Sequence, residues 1–147
     1  MTIALSHVSI RTADLDACRR FYVDVIGLAE GPRPPFPFPG LWLYAGSTAD
    51  WSGAVVHVIG VDPDNPQGLY DYLGARDGVL HRGGGAVDHV AFQISGLAAM
   101  RRRLAEHGLS ATERSVPRLG LHQLFLEDPD GIVIELNFPA EEHVGAG

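Results

Sequence analysis

The sequence predicts an α+β fold: two βαβββ modules whose strands form a curved mixed sheet around a cleft, with helices on the outer face. Three observations predict it. The chain repeats itself at a nearly constant offset. Each copy opens on a β-type run that passes into a helical pattern. The polar residues interrupting the apolar strands fall at equivalent places in both copies.

The repeat is read directly. Leu5-Ser6-His7-Val8-Ser9-Ile10 resembles Val87-Asp88-His89-Val90-Ala91-Phe92, with His7 and His89 equivalent. The same offset pairs Leu15 with Leu97 and Arg19-Arg20 with Arg101-Arg102. Val55-Val56-His57-Val58 then matches Val133-Ile134-Glu135-Leu136, at an offset shortened by loop insertions and deletions. These matches set the boundaries: module one over about 3–61, a linker or lid over 62–85, module two over about 86–139 and a tail over 140–147.

Each element has a local reason. In the first copy Asp14 is an N-cap, Leu15, Cys18, Phe21, Tyr22 and Val25 recur at helical spacing, and Gly27 is the stop. In the second, Leu97, Met100, Leu104 and Leu109 carry the pattern and Gly108 stops it. Strands follow over Leu41 to Tyr44 and Ala54 to Ile59, and again over Leu121 to Leu126 and Ile132 to Phe138. Asp128-Pro129-Asp130-Gly131 joins the last two as a hairpin turn, since proline presets its φ and glycine accepts positive φ. Pro32 to Gly40, with five prolines interleaved with Phe36 and Phe38, is an extended loop. The segment 62–85 is long and rich in Gly, Asp and Pro; a linker and an active-site lid or dimer contact fit it equally.

Composition narrows the function classes. The 147 residues suit one domain with a real core. A net charge of −7, with Arg101-Arg102-Arg103 as the only basic cluster and on a helix, argues against nucleic acid. The single cysteine forms no internal disulfide. No apolar run is long enough for a bilayer, and the N-terminus does not read as a signal peptide. The expected location is the cytoplasm, with no membrane partner.

Strand alternation then places the polar groups. Ile134, Leu136 and Phe138 share the helix side of the last strand, and Glu135 points the other way. Val8 and Ile10 leave His7 on the opposite side, Val90 and Phe92 leave His89 there, and Val56 and Val58 leave His57 there. All four lie on the non-helix face, which pairing of the halves turns into a shared metal-binding cleft. A carboxylate in an apolar strand is costly unless paired or metal-bound. Two histidines and one carboxylate are ligands for Fe2+, Mn2+, Ni2+ or Zn2+ and leave coordination positions open. The candidate ligands are His7, His57, His89 and Glu135.

At these residues the chain resembles the vicinal oxygen chelate superfamily, which includes glyoxalase I, methylmalonyl-CoA epimerase, extradiol dioxygenases and the fosfomycin and bleomycin resistance proteins. The matching stretches are Leu5 to Ile10, Phe21-Tyr22 with Gly27-Leu28, Val87 to Phe92, and Phe125 to Leu136. The resemblance implies one divalent metal ion on His7, His89 and Glu135, and puts His57 at the variable fourth position, where a catalytic acid–base role is expected. It implies a small substrate with two adjacent oxygens and a homodimer. Histidine at position 57 departs from the glutamate of glyoxalase I and leans slightly toward dioxygenase-like chemistry. The absence of a tyrosine on the strand before Glu135, where His122, Gln123 and Phe125 stand, departs from the dioxygenases.

Three functions remain on this reading. A dioxygenase type holds a catecholate beside oxygen. A glyoxalase- or epimerase-type lyase or isomerase stabilises an enediolate while His57 moves a proton. A non-catalytic protein sequesters an antibiotic or aromatic compound, a class in which the ligand residues are typically lost. Fosfomycin transfer is disfavoured, because the chain has no lysine and few arginines are expected near the cleft. Phe36, Phe38, Trp42, Tyr44 and His122 are expected to line the substrate pocket.

Overall fold

The computed structural model describes residues 1–62, 64–74 and 82–144. The chain forms two compact units, Met1–Arg82 and Gly83–Gly147. In the first, β1 (Val8–Thr12) leads into α1 (Leu15–Arg19), which widens into π-helical turns over Arg20–Ile26. Then come β2 (Ala29–Gly31), β3 (Gly40–Tyr44), β4 (Ala54–Gly60) and α2 (Gln67–Leu73). In the second unit the order is β5 (Val90–Gln93), α3 (Leu97–Glu106), β6 (Thr112–Val116), β7 (Leu121–Glu127), β8 (Val133–Pro139) and α4 (Ala140–Val144).

Each unit carries its own four-stranded sheet, in the orders β1-β4-β3-β2 and β5-β8-β7-β6. In both, the first strand lies parallel to the last and the remaining pairs are antiparallel. The two sheets therefore share one topology, the βαβββ unit that the repeat predicts.

The cores follow the alternation. In the first unit Ile10, Leu41, Leu43, Val56 and Val58 are buried with Cys18, Phe21, Tyr22, Val25 and Ile26 of the helix. In the second, Leu124, Leu126, Ile134, Leu136 and Phe138 are buried with Leu97, Met100 and Leu104, one stripe of α3. Each such side chain contributes about 1.5–3 kcal/mol by leaving water.

The ends of the elements obey local chemistry. The Asp14 carboxylate accepts from the Ala17 N–H at 2.9 Å, and Gly27 takes the left-handed conformation that ends the helix, with φ 98°. At the β7–β8 turn, Asp128 Oδ1 accepts from the N–H groups of Asp130 (2.9 Å) and Ile132 (2.8 Å).

Two segments outside the repeat contain helices. The tail is partly helical, and it has a task. α3 starts at Gly96, which has no side chain to cap it, and Glu142 of α4 accepts from the Gly96 and Leu97 N–H groups at 2.8 and 2.7 Å. A carboxylate there also answers the positive end of the helix. Within the segment 62–85, α2 packs on the proline-rich loop: Leu69 is buried, and a Cβ on Gly68 would collide with the Pro37 carbonyl. Residues 63 and 75–81 of that segment lie outside the described residues. Among the described residues no helix is long and apolar enough to cross a membrane.

Candidate functional site

In the second unit the register decides which side chains meet. Glu135 on β8 lies opposite Ala91 on β5 and Phe125 on β7, Gln123 opposite Asn137, and Arg114 on β6 opposite Gln123. Paired residues share a face. His89 stands just before β5, and its Nε2 lies 2.9 Å from Glu135 Oε2. Its other nitrogen, Nδ1, is 2.8 Å from Asp88 Oδ2. Glu135 is only 7% exposed, and its second oxygen accepts from Gln123 Nε2 at 2.6 Å. Gln123 also donates to Asn137 Oδ1 at 2.8 Å and accepts from Arg114 Nε at 2.7 Å. Both first-choice donors are thus held from behind, the imidazole by a carboxylate and the carboxylate by an amide. The hydrogen bond to Asp88 raises the His89 pKa; burial opposes it, and the charges of Glu135 and Asp88 add to the rise.

In the first unit, Ser9 of β1 and Trp42 of β3 flank His57 of β4. The His57 ring is sandwiched between two others. His7 stacks on it at 3.6 Å between centroids, and Trp42 at 3.9 Å. The edge of Trp42 meets Trp51 at 5.5 Å. His7 is exposed, just ahead of β1, with its Nδ1 3.0 Å from Ser6 Oγ. Burial, and next the electrostatic effect of the neighbouring His7, push the His57 pKa down to about 4. At neutral pH His57 is an uncharged imidazole, able to accept a proton. This face opens on a cavity of about 370 Å³, lined by His7, His57, Arg33, Phe36, Phe38 and Trp42, among others.

The structure therefore brings His89 to Glu135 in one unit and His7 to His57 in the other. It places Tyr44 and His122 elsewhere than expected. Tyr44 is 1% exposed, beside Thr48 and Gly53 and against Gly31, and its hydroxyl donates to the Pro32 carbonyl at 2.7 Å. A register shift between Leu43 and Tyr44 breaks the simple alternation there. His122 pairs with Phe138 and Ser115, on the opposite face of β7 from Gln123. One step along a strand reverses the face, so His122 belongs to the helix side and not to the pocket. Of the arginines, Arg33 lines the cavity beside the two histidines, and Arg114 shares the face of Glu135.

On the helix side His122 forms a separate polar network. Its Nε2 is 2.7 Å from Glu113 Oε2, its Nδ1 2.9 Å from Ser115 Oγ, and its ring stacks on His143 of α4 at 3.9 Å. Glu113 also accepts from Arg101 of α3, at 3.0 Å from Nε. Glu113, His122 and His143 bring three ligand-type atoms within 4.8 Å of one another. The carboxylate is already held by Arg101 and the rings lie face to face, an arrangement that ties β6, β7, α3 and α4 together. Arg101, and then His122, hold the Glu113 pKa down at about 2, against its ordinary 4.5. A lowered carboxylate pKa contributes stability that is present above 4.5 and lost as pH falls toward 2. With Glu113 partly exposed, that contribution is on the order of 1 kcal/mol. Glu113→Gln is expected to melt below the wild type at pH 7, with the gap closing between pH 4.5 and 2. A gap independent of pH would contradict this.

Sequence reasoning missed Arg33 and Tyr72, which line the cavity, and Asp88, which holds His89, and treated Gln123 only as a departure from a pattern. Counting outward from the Asp128–Gly131 turn pairs Phe125 with Ile134, one residue out of register; the Asp128 N–H bond to the Ile132 carbonyl sets the pairing of Phe125 with Glu135 and of Gln123 with Asn137, so only the structure placed Gln123. Arg33 sits in a loop without periodicity, and nothing in the sequence placed it.

Comparison with known proteins agrees with this architecture. A curated relative, "Glyoxylase I 4" of Arabidopsis thaliana, is 26% identical over 136 residues, covering 90% of this chain and 69% of its own. The crystal structure of the fosfomycin resistance protein FosX from Listeria monocytogenes superposes with a TM-score of 0.63 at 17% identity, over 97% of this chain and 98% of that one. TnmS3, an antibiotic binding protein from Streptomyces sp. CB03234, superposes with a TM-score of 0.59 at 22% identity, over 95% and 98%. Those identities establish the shared fold. The family model of the Glyoxalase/Bleomycin resistance protein/Dioxygenase superfamily matches residues 4–136, nearly the whole sequence, and the chain belongs to that superfamily.

Proposed function

We propose that this chain is a divalent-metal-dependent lyase or isomerase of the glyoxalase or epimerase type, acting on a small substrate with two adjacent oxygens. His7, His89 and Glu135 would hold the ion, and His57 would be the acid–base residue. The observation that carries the reading is the His89–Glu135 pair. Two donors each about 2.1 Å from one cation at a right angle lie about 3 Å apart. The observed separation of 2.9 Å fits that spacing. The flanking contacts fit as well, since Asp88 occupies His89 Nδ1 and leaves Nε2 for the ion, and Gln123 occupies one oxygen of Glu135 and leaves the other.

When bound, the ion supplies Lewis-acid polarisation of the two substrate oxygens. The residues do the rest. His57, uncharged and fixed between two rings, accepts a proton from the carbon beside the substrate carbonyl and returns it. The aromatic wall of the cavity positions the substrate and keeps water away from that carbon.

A dioxygenase is the second reading, favoured by histidine at position 57. Beside Glu135, however, β7 presents Gln123 and Phe125, neither of which moves protons. One proton-moving residue suffices for isomerisation next to a carbonyl. The test is a panel of catechols, α-hydroxycarbonyl compounds and thioesters, run with Fe(II), Mn(II), Ni(II) and Zn(II) while oxygen uptake is followed. Oxygen-independent conversion of a carbonyl substrate supports the proposal. Oxygen consumption with ring cleavage replaces it with the dioxygenase. Binding of an aromatic compound without turnover under any metal replaces both with a sequestering protein.

A further inference from the structure

We infer that the cavity beside His57 takes a flat aromatic ligand bearing a carboxylate, with Arg33 as the residue that selects the negative charge. This deepens the proposed function, and it rests on that reading for the ligand to be a substrate.

The cavity has one wall of rings. Phe36 and Phe38 stack nearly parallel, with centroids 5.4 Å apart and planes 8° from parallel. Tyr72 of α2 lies 4.9 Å from Phe36 and 5.6 Å from Phe38, and Trp42 is 6.2 Å from Phe36. The volume of about 370 Å³ is within the range of small-molecule sites. Such a lining favours a planar apolar body.

Arg33 is the exception in this lining. Its guanidinium lies over both phenylalanine rings, 5.0 and 5.2 Å from their centroids. One of its five N–H groups donates to the Phe38 carbonyl at 2.8 Å. Among the described residues no carboxylate pairs with it. The other arginines with described ion pairs, Arg19 and Arg101, each meet a glutamate. Burial alone lowers the Arg33 pKa, so its charge is kept without a compensating anion. A half-buried cation with donors to spare, in an apolar cavity, gains most from a bidentate oxyanion. The bond to Phe38 and the ring contacts orient the guanidinium, so little entropy is lost when an anion binds.

A purely structural role is the competing explanation: Arg33 would only clamp the loop, through Phe38 and its packing on Gly40. The two roles differ in charge selectivity. Titration calorimetry with the full chain, as purified and again with chelator, compares 1-naphthoate with its uncharged amide. The acid is expected to bind at least tenfold more tightly in both preparations, with an advantage that shrinks as salt is raised. In Arg33→Met that advantage is expected to fall to about one, while amide affinity changes less than threefold. Arg33→Lys should keep part of it. Equal binding of acid and amide by the wild type overturns the inference without any variant, so a misfolded Arg33→Met does not shield it. Retained selectivity in a folded Arg33→Met also overturns it, and leaves the clamp. Binding of neither probe overturns it as well. An acid preference that vanishes with chelator assigns the selectivity to the ion and removes Arg33 from the role. Failure of the metal proposal shows instead in metal content and turnover, with the chelator-resistant preference intact.

Discussion

Replacing Glu135 with glutamine is expected to abolish specific metal binding and turnover together. The glutamate is the one charged ligand in the proposed set, and a neutral amide is a poor replacement for it. Changes to residues that merely support ligands cost 10–100-fold in metal affinity, so loss of a ligand should exceed about 100-fold. Gln123 donates to Glu135 at 2.6 Å and can donate equally to a glutamine carbonyl, so the strand should keep its register. Thermal melting separates the two effects. Metal at a hundredfold excess over Kd stabilises a folded chain by about 2.7 kcal/mol, which is several degrees for a protein of this size. The wild type should show that rise, and Glu135→Gln should not. An unchanged metal content in the variant would remove Glu135 from the ligand set. A wild type that binds no divalent ion would remove the centre altogether.

The second large effect is expected at His57. His57→Gln should keep the metal and the melting temperature while kcat falls by about 100-fold or more, the usual contribution of a positioned acid–base group. The glutamine retains polarity and approximate size between His7 and Trp42 but cannot carry the proton. Metal content and turnover, measured side by side, distinguish the outcomes. Loss of the ion would make His57 a fourth ligand. No change in either quantity would make it a packing residue of the aromatic stack.

Much of the architecture follows from local rules acting on the sequence. The matching runs around His7 and His89 imply one topology used twice, because similar apolar periodicity, caps and turns build similar elements. Asp14 and Gly27 bound the first helix through hydrogen bonding and positive φ, effects that need no distant partner. Period-two alternation likewise places Glu135 opposite the core side of β8 and His57 opposite the core side of β4.

What needed the tertiary structure are the contacts between segments far apart in sequence. His122 shows the limit on a strand: the resemblance suggested the pocket, and pairing with Phe138 puts it on the other face. Tyr44 is withdrawn from the cavity by a shifted register, which no periodicity encodes. Glu142 caps a helix 46 residues earlier in the chain. Arg33 enters the cavity from a proline-rich loop whose path is set by its packing on α2 and the sheet. Alternation and capping are properties of a few consecutive residues, so the sequence alone determined the repeated unit and the faces of its strands. A loop has no such period, and its side chains are placed by the surfaces they meet, so only the folded chain decided that Arg33 and Tyr72 join Phe36, Phe38 and Trp42 around the cavity beside His57.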